Sequence, residues 1–279
     1  MERTLESVVY IALAFALCYA GKLLYPRFHG RLELDRELTA RDNLALAVPL
    51  GSYYLAIMIV MGGPLSGIGE GHFLKELLLT ALWGAAALFL LLVSQKIMAR
   101  ALFPGISLDD EIVKKENAAA GILTGAAYLS SALLLLGATA GDRNAAVSFI
   151  FWAVALGLEI GAVMLFLKAA KYRMKEEILR CNNALALSVG GMLISIALIM
   201  KMSVTGEFPG WAAAFGGTLF YALSGTVLLY AVMNLVDWIL LPGVTITGEL
   251  IEQKIPNTGV GALTGLFYIG VSFLVIWVL

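Results

Sequence analysis

The stretch ENAAAGILTGAAY, residues 116–128, has nearly the same skeleton as PNTGVGALTGLFY, residues 256–268. Each stretch opens an apolar run, and six of the 13 aligned positions are identical. The identical pairs are Asn117/Asn257, Gly121/Gly261, Leu123/Leu263, Thr124/Thr264, Gly125/Gly265 and Tyr128/Tyr268. This recurrence predicts an internal duplication and a fold built from repeated units.

The composition predicts a membrane protein. Hydrophobic residues make up 60% of the 279 residues, charged residues only 14%, and the mean hydropathy is +0.88. An ordinary soluble domain is about 25% charged. The net charge of −1 offers no basic surface to nucleic acid, so membrane lipid is expected as a partner and nucleic acid is not. Cys18 and Cys181 have no CxxC spacing and predict no disulfide framework.

Eight apolar runs are long enough to cross about 30 Å of hydrocarbon as helices. They cover residues 7–25, 43–62, 74–95, 118–138, 146–168, 184–201, 211–234 and 258–279. None shows the alternation of barrel strands, and a helix satisfies its own backbone hydrogen bonds in lipid. We therefore predict an all-α polytopic membrane protein with eight transmembrane helices. The first run precedes no small-residue cleavage site, so it is expected to be a span and not a signal peptide.

Basic residues orient the predicted spans. The connections after the first, third, fifth and seventh spans contain 15 Lys and Arg residues, whereas the other side contains 4. Because cytoplasmic loops are enriched in Lys and Arg, the first side is predicted to be cytoplasmic. Both termini are then expected outside the cytoplasm.

The duplication extends over both halves of the chain. RDNLALAVPLG from Arg41 matches RCNNALALSVGG from Arg180, with Asn43 opposite Asn183 and Gly51 opposite Gly191 at an offset of 140. LFPGISLDDEI from Leu102 matches LLPGVTITGEL from Leu240 at an offset of 138. We predict two four-helix repeats, residues 1–142 and 143–279. Since four is an even number of spans, the two repeats are expected to be parallel and not inverted.

A fainter repeat lies inside each half. Four Asn residues begin spans, and each has a Gly eight positions later. The pairs are Asn43/Gly51, Asn117/Gly125, Asn183/Gly191 and Asn257/Gly265. A two-helix hairpin is the candidate for the older unit.

These motifs resemble the YjfL-type family of small bacterial inner-membrane proteins, known as a domain of unknown function. The segments that carry the resemblance are DNLALAVPLG, ENAAAGILTG, NNALALSVGG and PNTGVGALTG. Members commonly have four spans, so the resemblance implies two fused copies in the bacterial inner membrane. It implies no established biochemical activity. The chain departs from the pattern at Pro49, where the second copy has Val189, and at Pro256, where the first has Glu116.

Two interpretations of the four Asn residues remain open. Each side-chain oxygen can accept a hydrogen bond from an otherwise unpaired backbone N–H and cap the start of its helix. Alternatively, the four positive helix ends can gather around an anionic headgroup or solute on the cytoplasmic side. The second interpretation requires the four helix starts to converge.

Small residues predict close helix packing. Gly121/Gly125, Gly157/Gly161 and Gly261/Gly265 form GxxxG pairs, and Ala47/Gly51 and Ala186/Gly190 form small-xxx-small pairs. Gly191, the repeat counterpart of Gly51, is also a candidate packing position. Pro49 lies inside the second span, where it removes one helical hydrogen bond, and a bend is expected there.

Three polar residues within spans are candidates for an ion or solute pathway. Glu159 lies near the middle of the fifth span, and Asn234 and Asp237 lie near the cytoplasmic end of the seventh. Ionisable groups inside a membrane are costly and often functional. The alternatives are a neutral packing carboxyl at Glu159 and a solvated boundary at Asn234 and Asp237.

No enzyme, metal site or cofactor is predicted. His29 and His72 are expected on opposite sides of the membrane, and no catalytic or phosphate-binding motif occurs. Two function classes remain. The first is a transporter or channel for a small ion or solute, with Glu159 in its pathway. The second is a non-transporting membrane module whose charged loops hold a peripheral cytoplasmic protein in envelope stress or lipid homeostasis. A homo-oligomer is compatible with both.

Overall fold

The computed structural model describes residues 2–30, 32–66, 73–140, 144–206, 208–240 and 243–279. Side chains are described within these ranges except at residues 2–4, 66, 233, 234 and 236–240. The described ranges are mainly helical and contain no strand. The predicted all-α class is therefore confirmed.

The helices follow a repeating order along the chain. The elements are α1 (Glu2–Phe28), α2 (Leu34–Thr39), α3 (Leu44–Ser66), α4 (Phe73–Leu102), α5 (Leu108–Lys115), α6 (Ala118–Thr139), α7 (Ala145–Ala169), α8 (Met174–Leu179), α9 (Asn183–Val204), α10 (Trp211–Leu240), a π-helix (Gly248–Glu252) and α11 (Thr258–Val278). The order long, short, long occurs four times. Each unit has an outer helix, a short helix and an inner helix.

Eight of the helices in the described ranges are long and apolar enough to cross a membrane, which confirms the eight predicted spans. The largest extensions past the predicted ends are those of α4 and α10. α4 continues to Leu102, beyond Lys96 and Arg100, and α10 continues to Leu240. Lys and Arg are good helix formers, so a charged residue ends the apolar run without ending the helix.

The inner helices α3, α6, α9 and α11 pack side by side in that order and form one row. The outer helices lie against this row: α4 contacts α3 and α6, α7 contacts α6 and α9, and α10 contacts α9 and α11. The most apolar windows of α6 and α9 are 78% and 83% buried, whereas that of α1 is 11% buried. The core therefore lies along the middle of the inner row.

Neighbouring inner helices are parallel and nearly touch through their backbones. A Cβ added at Gly121 of α6 would lie 2.3 Å from the carbonyl oxygen of Ala45, and one at Gly125 would lie 2.7 Å from Ser52 Oγ. Both contacts advance in the same direction along α3 and α6. Packing this close requires glycine, as in small-xxx-small contacts of membrane helices.

The helix α3 continues through Pro49. Proline has no N–H, and the carbonyl of Ala45, four residues earlier, loses its intrahelical donor. That same carbonyl is the one that Gly121 approaches. The missing hydrogen bond and the tight helix contact thus coincide.

Candidate functional site

The start of each inner helix carries the same pair of side chains, a Glu from the short helix and the Asn that caps the inner helix. Asn117 Oδ1 accepts hydrogen bonds from the backbone N–H groups of Ala119 (3.1 Å) and Ala120 (3.3 Å). Its Nδ2 donates to Glu111 Oε2 at 3.1 Å. The equivalent distances are 3.4 Å for Asn43 and Glu37, 2.7 Å for Asn182 and Glu177, and 3.0 Å for Asn257 and Glu249.

The cap amides also connect successive units. Asn43 Nδ2 donates to the carbonyl of Ile112 at 3.2 Å, Asn117 to that of Ile178 at 2.7 Å, and Asn182 to that of Leu250 at 2.8 Å. In each case the accepting carbonyl directly follows the Glu of the next unit. Each Asn therefore holds its own helix start against the next short helix.

A left-handed residue precedes three of the four cap residues. Asp42, Glu116 and Cys181 have φ angles of 51°, 51° and 56°. The fourth position is Pro256, whose ring restricts φ to about −65° and excludes this conformation. The fourth unit has a π-helix and a longer spacing, eight residues from Glu249 to Asn257, where the first two units have six.

The predicted helix-start residue Asn183 is corrected to Asn182. Asn182 Oδ1 caps α9 by accepting from the N–H of Leu185 at 3.0 Å, whereas Asn183 is the first helical residue. The sequence has two adjacent Asn residues, and either could cap α9. Cys181 has a left-handed backbone, as do Asp42 and Glu116 before the first two caps, and the residue that follows it, Asn182, is the cap. The Oδ1 atom of Asn183 is buried without a hydrogen-bond partner among the described residues.

The predicted packing glycines separate into two groups. Gly261 and Gly265 of α11 face the carbonyls of Ala184 and Leu187, at 2.1 and 2.5 Å from an added Cβ, and one at Gly191 would lie 2.3 Å from Gly265 Cα. With Gly121 and Gly125, these glycines lie at contacts between inner helices. Gly51 does not, because no atom lies within 4 Å of an added Cβ. It occupies the equivalent face of α3, which is the first helix of the row and has no preceding inner helix.

The four cap residues therefore engage the protein itself. Each amide is used by a Glu, and three also bind a backbone carbonyl. The helix starts follow the row and do not surround one point, so the convergence required by the anion-binding interpretation does not occur. This network organises the ends of the inner helices.

A second polar cluster lies only in the first half of the chain. His29 Nδ1 is 2.7 Å from Asp109 Oδ1, and His29 Nε2 is 2.7 Å from the hydroxyl of Tyr128. Lys96 Nζ pairs with Asp109 Oδ2 and lies 3.4 Å from His29 Nδ1. The ring of Tyr25 stacks on His29 at 4.2 Å.

The charges and burial of this cluster determine which of its groups carry a proton. Burial lowers the pKa of His29, and the nearby Lys96 ammonium lowers it further, against the opposing effect of Asp109. Although burial opposes it, hydrogen bonds and charge from His29 and Lys96 lower the pKa of Asp109 to about 2. A neutral His29 then donates from Nδ1 to the Asp109 carboxylate and accepts at Nε2 from Tyr128.

The cluster breaks the internal symmetry. At the offset of 138 that aligns LFPGISLDDEI with LLPGVTITGEL, Thr247 replaces Asp109 and Asn234 replaces Lys96. Tyr268 retains the aromatic ring of Tyr128. The acid and the base are therefore specific to the first half, while the surrounding fold is common to both.

The sequence did not reveal this cluster. His29 was expected in a loop, and Lys96 and Asp109 in the connection after the third span, with no spacing motif between them. The available signal was weak: a lone His shortly after the first apolar run and a Lys directly after the third. The other histidine, His72, lies outside the described residues.

Glu159 of α7 is fully buried in the middle of the bundle. Neither carboxyl oxygen has a partner in hydrogen-bond geometry among the described residues. Its polar neighbour is the hydroxyl of Ser130 on α6. Ser130 and Ser131 point towards Met98 Sδ, at 3.6 and 3.5 Å.

The surroundings of Glu159 and the His29 cluster both use residues of α4 and α6. Ser130 lies two residues beyond Tyr128 on α6, and Met98 lies two residues beyond Lys96 on α4. Residues two positions apart on a helix do not face each other, and among the described contacts no hydrogen bond links the His29 cluster to Ser130 or Glu159. The other predicted pathway residues, Asn234 and Asp237, lie in α10 at positions whose side chains are outside the described part of the chain.

A family model described as Domain of Unknown Function (DUF350) matches the chain twice, over residues 1–139 and 143–279. The chain is also 25% identical over 236 residues to a protein described as a UPF0719 transmembrane protein from Aquifex aeolicus (strain VF5). That match covers 82% of this chain and 84% of the relative. No solved structure matches the chain. The two tandem matches agree with the duplicated architecture.

Proposed function

The chain belongs to the DUF350 family of multi-pass transmembrane proteins, as its repeated Asn and Gly motifs suggested, and from this premise we propose that it moves protons across the membrane. The observation that carries the proposal is Glu159, a fully buried carboxyl whose polar neighbour is the Ser130 hydroxyl and whose oxygens have no partner in hydrogen-bond geometry among the described residues. An unpaired carboxylate is costly in apolar surroundings, so this position favours a carboxyl that holds a proton.

The His29 cluster provides the entry on one side. Asp109 and Lys96 are 30% and 24% exposed, whereas His29 beneath them is 3% exposed at its side chain. A proton taken up at this surface can pass through the imidazole and the hydroxyl of Tyr128 towards the Ser130 region and Glu159. Histidine suits this step because its two ring nitrogens can accept and release protons on opposite sides.

We assign this entry to the cytoplasmic side of the bacterial inner membrane, following the Lys and Arg bias of the connections. The short helices α2, α5 and α8 and the π-helix then face the cytoplasm, and both termini face outward. Glu159 lies about halfway along α7 and serves as the carrier between the two sides.

The test uses purified protein in vesicles that enclose a pH-sensitive dye, with a potassium diffusion potential as the driving force. Wild-type protein is expected to acidify the vesicles faster than protein-free controls. Glu159→Gln should reduce that rate to the protein-free level, because the amide keeps the size of the carboxyl but cannot carry a proton. The exposed Glu252→Gln is the matched control and should retain wild-type flux.

Thermal unfolding in detergent separates loss of flux from loss of fold. Glu159→Gln should unfold at the wild-type temperature. Equal proton flux through wild-type and Glu159→Gln protein would contradict the proposed pathway. Wild-type vesicles no more permeable than protein-free vesicles would contradict transport itself and favour the alternative, a non-transporting module that holds a cytoplasmic partner.

A further inference from the structure

The inner row has two free edges, one on α3 and one on α11. Positions along each inner helix are counted as residues after its cap Asn, so that Ala45 is position 2 after Asn43. Within the row, every contact between helices uses the same positions. The earlier helix presents positions 2, 5 and 9, and the following helix presents small residues at positions 4 and 8. The close contacts are Ala45–Gly121, Val48 and Ser52–Gly125, Ile122 and Ala126–Gly190, Ala184–Gly261, and Leu187 and Gly191–Gly265.

The edge of α3 presents the small-residue face without a partner. Its positions 4 and 8 are Ala47 and Gly51, and both are exposed. No atom lies within 4 Å of a Cβ added at Gly51. At the same positions of α6 and α11, an added Cβ would lie 2.1 to 2.7 Å from the preceding helix.

The edge of α11 presents the complementary face. Its positions 2, 5 and 9 are Gly259, Ala262 and Leu266, of which Gly259 and Leu266 are exposed. Leu266 is 69% exposed and is the largest residue at position 9 in the four units. The open space at Gly51 is suited to such a side chain.

The cap network ends at the same two edges. Asn257 Nδ2 donates to Glu249, and among the described contacts it has no carbonyl from a further unit, although the amides of Asn43, Asn117 and Asn182 each have one. In the first unit, the carbonyl that follows the Glu is that of Leu38, and no amide side chain donates to it among the described contacts. An unused donor and an unused acceptor of one repeated hydrogen bond therefore lie at opposite ends of the row.

We propose that these edges bind each other between two copies of the chain. In this arrangement α11 of one copy packs on α3 of the next as if it were the preceding helix of the row. Leu266 lies over Gly51 of the second copy, and Asn257 donates to the carbonyl of Leu38 of the second copy. A head-to-tail contact of this kind produces closed rings or open chains.

Cysteine crosslinking in membranes tests the contact. In a background of Cys18→Ala and Cys181→Ser, the single variants Gly51→Cys and Leu266→Cys are co-expressed with different tags. Oxidation should join the two tags, and neither variant alone should crosslink, because a head-to-tail contact does not bring a position against itself. The doubly substituted chain should give dimers and larger species.

Two further pairs calibrate this experiment. Ser52→Cys with Gly125→Cys should crosslink within one chain and leave its mass unchanged, since a Cβ at Gly125 lies 3.4 Å from that of Ser52. Gly51→Cys with Val227→Cys, an exposed position on the outer helix α10, reports random collision. Crosslinking of Gly51 with Leu266 at or below this level would overturn the proposal and leave lipid as the occupant of both edges.

A second measurement does not depend on cysteine. Gly51→Leu fills the receiving surface and should lower the oligomeric fraction seen by single-molecule photobleaching in vesicles. Its thermal unfolding should stay near that of the wild type, because the position is open within the chain. An unchanged subunit count in Gly51→Leu would also overturn the proposal.

Discussion

The side-chain amide of Asn117 donates to the backbone carbonyl of Ile178, 61 residues later in the chain, at 2.7 Å. The same residue caps α6 and binds Glu111. One buried side chain therefore fixes a helix start, its own short helix and the short helix of the next unit. Because Asn43 and Asn182 repeat this arrangement, the units are held in register along the row.

Asn117→Ala should destabilise the protein far more than Asn257→Ala. The first substitution removes a cap and leaves a buried carboxylate and carbonyl without their donor, at a cost of about 2 to 4 kcal/mol. Asn257 is exposed and lacks the link to a further unit, so its replacement should cost about 1 kcal/mol. Denaturant unfolding in mixed micelles measures both. Equal losses would show that the carbonyl link contributes nothing.

Gly121→Ala and Gly261→Ala should each destabilise the inner row. A single methyl group would lie 2.3 or 2.1 Å from a backbone carbonyl oxygen, so the two helices must separate. Gly157→Ala is the matched control, because it also lies in a GxxxG pair and has no atom within 4 Å of the added Cβ. There alanine should be neutral or stabilise the helix by up to about 1 kcal/mol. Thermal unfolding that ranks Gly157→Ala with the other two would contradict this assignment.

Asp109→Asn should lower stability, and its neighbour Asp110→Asn should have little effect. Asp109 is bound by His29 and Lys96, and its neutral replacement leaves the Lys96 ammonium without its partner, at a cost of about 2 kcal/mol. Asp110 forms an exposed pair with Lys114 on one turn of α5. The comparison controls for helix propensity, because the two substitutions are adjacent and chemically identical. Similar melting temperatures for the two variants would count against the cluster.

The contribution of His29 to stability should fall as the pH is lowered from 7.5 to 5.5, whereas a carboxyl that stays protonated at Glu159 acts in the opposite direction. The pKa of His29 is lower in the folded protein than its usual value of about 6.5, so unfolding takes up a proton in this window. The loss is at most about 1.4 kcal/mol per pH unit for one group. The pKa of Asp109 is about 2. Its contribution to stability is fully present above about pH 4 and is lost only as the pH falls from there towards 2. Relative to His29→Gln, the wild type should therefore lose stability between pH 7.5 and 5.5, and a constant difference between the two proteins would show that His29 does not take up the proton.

The spans, the duplication and the class of fold could be read from the order of residues. Twenty apolar residues in succession have few stable states other than a transmembrane helix, since a bilayer leaves the backbone no other hydrogen-bond partners. The repeated Asn and Gly positions lie in the four helices that form the inner row, and the motif spacing placed the caps to within one residue. The adjacent pair Asn182 and Asn183 was the exception, because only the left-handed Cys181 distinguishes the two registers.

Tertiary structure was needed to assign faces and partners. Gly121/Gly125 and Gly157/Gly161 carry the same motif, yet the first pair packs against a backbone and the second meets no atom within 4 Å. His29, Lys96 and Asp109 come together from three separate segments. The physical reason is that lipid and protein interior are both apolar, so hydrophobicity identifies the helices but does not distinguish a packed face from a lipid-facing one. That distinction arises from close backbone approach and long-range polar pairing, which depend on residues far apart in the chain.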